Sequence, residues 1–73
     1  MYLSKQETGF SIVYWADLSR PFLEIEAPYQ ISEDPDSITF LCFDSVAEMD
    51  DHDPTKRYII PLNSISYIET NFG

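Results

Sequence analysis

The sequence predicts an all-β domain built from five short strands, and three observations carry that reading. The apolar content is rich in aromatic and branched residues, with five Tyr and five Phe among 73 residues, types that suit a pleated, half-buried surface. Apolar and polar residues alternate with a period of two through residues 22–32, which is the strand repeat and not the helical one. Prolines and turn-forming acids punctuate the chain between the apolar runs, at Pro21, Asp34-Pro35-Asp36 and Asp53-Pro54.

Taken in order, the first strand is expected over 10–17, FSIVYWAD, bounded by Gly9 and by Leu18-Ser19-Arg20-Pro21. The second spans 22–32: Leu23, Ile25, Ala27, Tyr29 and Ile31 fall on one face, with Glu24, Glu26, Gln30 and Ser32 on the other. Pro28 cannot donate to a ladder, so it implies an edge, a bulge or a break. Glu33 to Asp36 form a turn into the third strand, 37–44, whose two faces are both apolar, Ile38, Phe40 and Cys42 against Leu41 and Phe43. A strand apolar on both sides is central in its sheet. Residues 44–55 read as an exposed acidic loop with a helical turn over Val46 to Met49.

The fourth strand spans 56–62 and the fifth 64–70, with almost nothing between them. Leu62, Ile65 and Ile68 recur every three residues, which matches a 3₁₀ turn, where side chains at i and i+3 eclipse. Five strands with one 3₁₀ connector describe a small barrel. Its expected core is Ile25, Ile38, Phe40, Ile60, Leu62, Ile65 and Ile68.

Size and charge narrow the function. A chain of 8.5 kDa forms a single domain with one core. The lone Cys42 rules out an internal disulfide and a thiolate zinc site, and suits a reducing, cytoplasmic setting. Residues 1–9 have no apolar signal core, and no run approaches the roughly 18 apolar residues of a membrane span, so no membrane role is expected. A formal charge of −9 opposes nucleic acid and anionic lipid. With Gly only at 9 and 73 there is no glycine-rich phosphate cradle, which excludes nucleotide enzymes.

The runs SITFLCFDSVAEM and RYIIPLNSISYIET resemble the Sm-like small barrels and, more loosely, the SH3-like barrels; the likeness covers about half the chain. In Sm-like proteins an apolar strand ends in Asp, followed four residues later by Asn, and a later strand runs through a short turn into a final I-x-x-I strand. Asp44 stands at the first position, and Leu62, Ile65 and Ile68 suit the last. Glu48 replaces the Asn, and Leu62-Asn63 replaces the family's Arg-Gly or Lys-His dipeptide. The resemblance implies a five-stranded SH3-like or Sm-like barrel that closes a ring of copies, with RNA contacts at Asp44, Arg57 and Asn63 as an alternative function.

Three clusters invite chemistry. The acids at 44, 48, 50, 51 and 53 with His52 could hold a divalent cation weakly, although they lack the glycine and the terminal glutamate of an EF-hand loop. Cys42 with His52 as base would need a third orienting group and a cleft, so Cys42 reads as core filler and no catalytic residue or cofactor is expected. Tyr14, Trp15, Tyr29, Tyr58 and Tyr67 could stack bases, line a protein interface or pack the core. Only Lys56 and Arg57 are adjacent cations. The reading that unites these points is a non-catalytic assembly module, a homo-oligomer or the binder of an unidentified protein, with Tyr58, Ile59, Ser66, Tyr67 and Thr70 at its interface. Two outcomes follow: a β-type far-UV circular dichroism spectrum with no helical double minimum, and no tight, salt-sensitive binding of an RNA or DNA oligonucleotide at physiological salt.

Overall fold

A computed structural model describes residues 2–73. The elements in chain order are β1 (Tyr2–Gln6), β2 (Phe10–Trp15), β3 (Leu23–Glu26), β4 (Tyr29–Glu33), β5 (Ser37–Cys42), a single helical turn α1 (Glu48–Asp51), β6 (Lys56–Pro61), a 3₁₀ turn (Leu62–Ser64) and β7 (Ile65–Asn71). They form two antiparallel sheets, β1-β4-β5-β6 and β3-β2-β7. Among the described residues neither sheet closes, and each keeps two open edges.

The all-β expectation holds, and the expected set of five strands becomes seven among the described residues. Residues 2–6, which carried no strand signal, pair with β4 through Lys5↔Gln30 and Gln6↔Tyr29. The segment 10–17 ends as a strand at Trp15, because Asp17 turns the chain: its carboxylate accepts from the Ser19 N–H at 3.0 Å and the Ser19 hydroxyl at 2.7 Å. The segment 22–32 breaks at the cis Ala27-Pro28 bond into two strands that belong to different sheets. Pro28 has no N–H for a ladder, while its carbonyl accepts from Phe43 N–H at 3.1 Å.

Gly9 makes the corresponding step between β1 and β2. Its φ is +90°, and a Cβ there would lie 1.9 Å from the Asn71 carbonyl oxygen. Only glycine satisfies both demands. The third step between sheets is the 3₁₀ turn, found where the three-residue spacing places it, with Leu62 N–H donating to Asp36 O at 3.0 Å and Ala16 N–H to Ser64 O at 2.9 Å.

Where the sheets face each other, Val13 and Ile25 from one meet Tyr29, Ile38, Phe40 and Ile60 from the other. Ile25, Ile38, Phe40 and Ile60 are buried as expected, and Ile65 and Ile68 are half-buried against them. Leu62 is the correction: it is 45% exposed. The eclipsed i, i+3 arrangement lasts only as long as the 3₁₀ turn, which ends at Ser64, so it does not bring Leu62 under the strand that follows. Fully buried Val13 and Tyr29 complete the core. The Tyr29 ring meets Phe40 edge-on, with centroids 5.6 Å apart, and its hydroxyl bonds the buried Ser11, which also bonds Thr70 at 3.0 Å.

The strand 37–44 is central, as expected, between β4 and β6. Its second apolar face is covered by the segment expected to be an exposed loop. The turn at Val46 to Met49 continues into α1, and Met49 is buried. Gln30 Nε2 donates to Met49 O at 3.3 Å and Lys5 Nζ to Asp50 Oδ1 at 2.6 Å, which fixes α1 over the outer face of the four-stranded sheet. Ser32, on the polar side of its strand, is also buried, between β1 and β5. In denaturant titrations, Phe40→Ala is expected to cost about 3–5 kcal/mol and Leu62→Ala less than about 1 kcal/mol. Equal losses would contradict this core.

Candidate interaction surfaces

The two sheets differ in what lies on their outer faces. On the three-stranded sheet Ser11 and Val13 of β2 are buried inward and Trp15 packs against the core at the strand's end, while Phe10, Ile12 and Tyr14 point outward along this middle strand, each half-buried. The register puts Glu26 and Asn71 on either side of Phe10, and Glu24 and Glu69 on either side of Ile12. Tyr67 lies beside Tyr14. None of the three strands contains a Lys or Arg. The result is an apolar spine with a carboxylate rim on each side.

At one end the spine opens into a groove of about 300 Å³ lined by Tyr14, Trp15, Leu18, Phe22 and Tyr67. The Tyr14 and Tyr67 rings stack, 4.4 Å between centroids and 20° between planes, and Phe22 tilts against Tyr14 at 6.3 Å. Arg20 lies over the Trp15 ring, its guanidinium carbon 4.0 Å from the centroid. The turn at Asp17 holds Arg20 there: Arg20 N–H donates to Asp17 O at 3.1 Å. Hydrogen bonds from Ser19 lower the pKa of the Asp17 carboxyl below its ordinary value. Desolvation first, then Glu69, raises that of the Tyr14 hydroxyl.

The residues singled out in the sequence are dispersed over this frame. Of the five expected interface residues, Tyr67 and Ser66 border the groove, whereas Ile59 is exposed on the outer face of the other sheet. Tyr58 packs against the core, and Thr70 points inward to Ser11. Of the five aromatic residues, Tyr14, Trp15 and Tyr67 come together, Tyr29 is core and Tyr58 belongs to the other sheet. Phe22 completes the aromatic set. Its signal was the Pro21-Phe22 step leading into a strand, which places an aromatic ring at a sheet margin.

Arg57 and Asn63 lie toward opposite ends of β6, with roughly 13 Å of strand between Arg57 and Pro61 alone. Asp44 is exposed beyond the end of β5. Among the described residues no group of three or more His, Cys, Asp or Glu converges on a point where a metal ion could sit. Cys42 is half-buried against the core, and burial raises its thiol pKa. Comparison of the chain with protein-family models, curated proteins and solved structures gave no match.

Trp15 is the sole tryptophan and reports directly on the groove. Arg20→Ala is expected to shift its fluorescence emission while lowering stability by no more than about 1 kcal/mol. Because the Asp17 pKa is depressed in the folded chain, the turn's contribution is complete above the ordinary value of 3.8 and is lost as pH falls through the lower folded-state value. Wild-type emission should therefore hold steady from neutral pH down to that ordinary value and change only below it.

Proposed function

We propose that the chain is a non-catalytic interaction and assembly module that associates with copies of itself through the free edges of β6 and β7. One observation carries this reading: these two consecutive strands, six and seven residues long, each pair on one side only. An unpaired edge presents a row of N–H and C=O groups that another strand can satisfy. The other two edges suit that role less, since β3 has only four residues, two of them Glu, and β1 carries Lys5, engaged by Asp50.

Side chains on β6 and β7 support the same conclusion. Ile59 is 65% exposed and Tyr67 56%, so pairing would remove apolar surface from water together with the backbone groups. Lys56, Arg57 and Pro61 blunt the two ends of β6 and leave its middle for a neighbour. A 73-residue core without disulfide or metal supplies only about 3–5 kcal/mol, which burial between subunits supplements.

Counted as bent continuous strands, β1–β2 and β3–β4 reduce seven strands to five, with the 3₁₀ turn before the last. That count supports a partly open barrel of the SH3-like or Sm-like kind, in which edge pairing closes a ring of subunits in a cytoplasmic setting. The RNA-associated alternative has less support, because Asp44, Arg57 and Asn63 are scattered on a chain of charge −9. Sedimentation at micromolar concentration tests the assembly. The expected mass is a multiple of 8.5 kDa that falls toward the monomer in Ile59→Lys and Tyr67→Lys; a wild-type monomer rejects the proposal.

A further inference from the structure

Part of the outer face of the four-stranded sheet, around Gln30 and Lys5, is covered by α1, but the outer face of the three-stranded sheet has no such cover among the described residues. We infer that this uncovered face docks a basic amphipathic helix of a partner protein, its apolar stripe along Phe10, Ile12 and Tyr14 and its Lys or Arg side chains reaching Glu24 and Glu26 on one side and Glu69 on the other.

Dimensions fit this occupant. Two strand spacings separate Glu24 from Glu69 across Ile12, roughly 10 Å, which is about the diameter of a helix with its side chains. The spine from Phe10 to Tyr14 is about 13 Å long, or some two and a half helical turns. One large apolar side chain of the helix would then enter the groove between Tyr14, Phe22 and Tyr67. The geometry is that of an amphipathic helix laid in a groove with its apolar face down.

Charge selects the partner. The three strands contribute Glu24, Glu26 and Glu69 and no cation, on a chain whose net charge is −9. A second copy docked here face to face would set carboxylate rows against each other, so this face is not where copies meet, and an anionic membrane surface would be repelled as well. Arg20 on Trp15 already places a guanidinium on an aromatic ring at the groove.

The probe is a leucine–lysine peptide of about 14 residues, long enough to cover the spine as an amphipathic helix, titrated into the isotope-labelled protein and followed by amide chemical shifts. Perturbations are expected at residues 10–14, 22–26 and 67–71. Shifts centred on the acidic segment 44–53 would overturn the inference, as would equal binding by oligolysine of the same charge, which would reduce the effect to unspecific attraction. Paired Glu24→Lys and Glu26→Lys changes should weaken binding at least about fivefold, and Asp51→Lys with Asp53→Lys less than about twofold; equal losses reject the site. Glu24 and Glu26 line a pocket with Lys56 and Tyr58 of β6, so the same variants are also sedimented: weakened peptide binding at unchanged mass keeps this result separate from the self-association proposal, and unchanged melting temperatures show that they fold.

Discussion

The fold depends on Tyr29. This residue follows the Ala27-Pro28 step that carries the chain from one sheet to the other, and it joins the two sheets by both of its chemical parts. Its ring meets Phe40 of its own sheet, while its hydroxyl bonds Ser11 of the opposite one. A buried tyrosine has to satisfy its hydroxyl, and an aliphatic residue at 29 would leave Ser11 and Thr70 alone in the apolar gap. The bond therefore fixes how the sheets sit on each other, in addition to filling space.

That constraint orders the rest of the molecule. With Tyr29, Ser11 and Thr70 pointing inward, the alternation of β2 and β7 forces Phe10, Ile12, Tyr14, Tyr67 and Glu69 outward. The exposed face is thus a consequence of the buried polar bond, because from Phe10 to Tyr14 and from Tyr67 to Asn71, up to the bulge at Tyr14 and Trp15, the period of two leaves no freedom to turn one side chain without turning its neighbours. On the four-stranded sheet the same logic sends Leu41 and Gln30 outward, where α1 covers them.

What the sequence disclosed follows from the range over which each signal acts. Alternation, turn chemistry and the spacing of Leu62, Ile65 and Ile68 are local, and they located the β character, the hairpin at Asp34 to Ser37 and the 3₁₀ turn. The division of 22–32 between two sheets was half legible: Pro28 signalled an interruption, but only partners distant in sequence decide on which side each half pairs. β1 was illegible because its pairing with β4 rests on residues 29–33, more than twenty positions away. The groove was missed for a similar reason. Tyr14, Phe22 and Tyr67 are spread over most of the chain, and nothing in their spacing marks them as neighbours.

Each step between sheets, at Gly9, at Ala27-Pro28 and at the 3₁₀ turn, is only two or three residues long, and together they interleave the two sheets along the chain. Neither sheet is encoded by a continuous stretch, so a cut in any loop splits at least one sheet between the two fragments. The molecule has no autonomous half, and it should unfold as a single cooperative unit. Folding must also wait for Phe10 to find Asn71, a partner near the other end of the chain. A topology so dominated by distant pairings belongs among slow folders despite its size, and its strand edges stay exposed for as long as that search lasts.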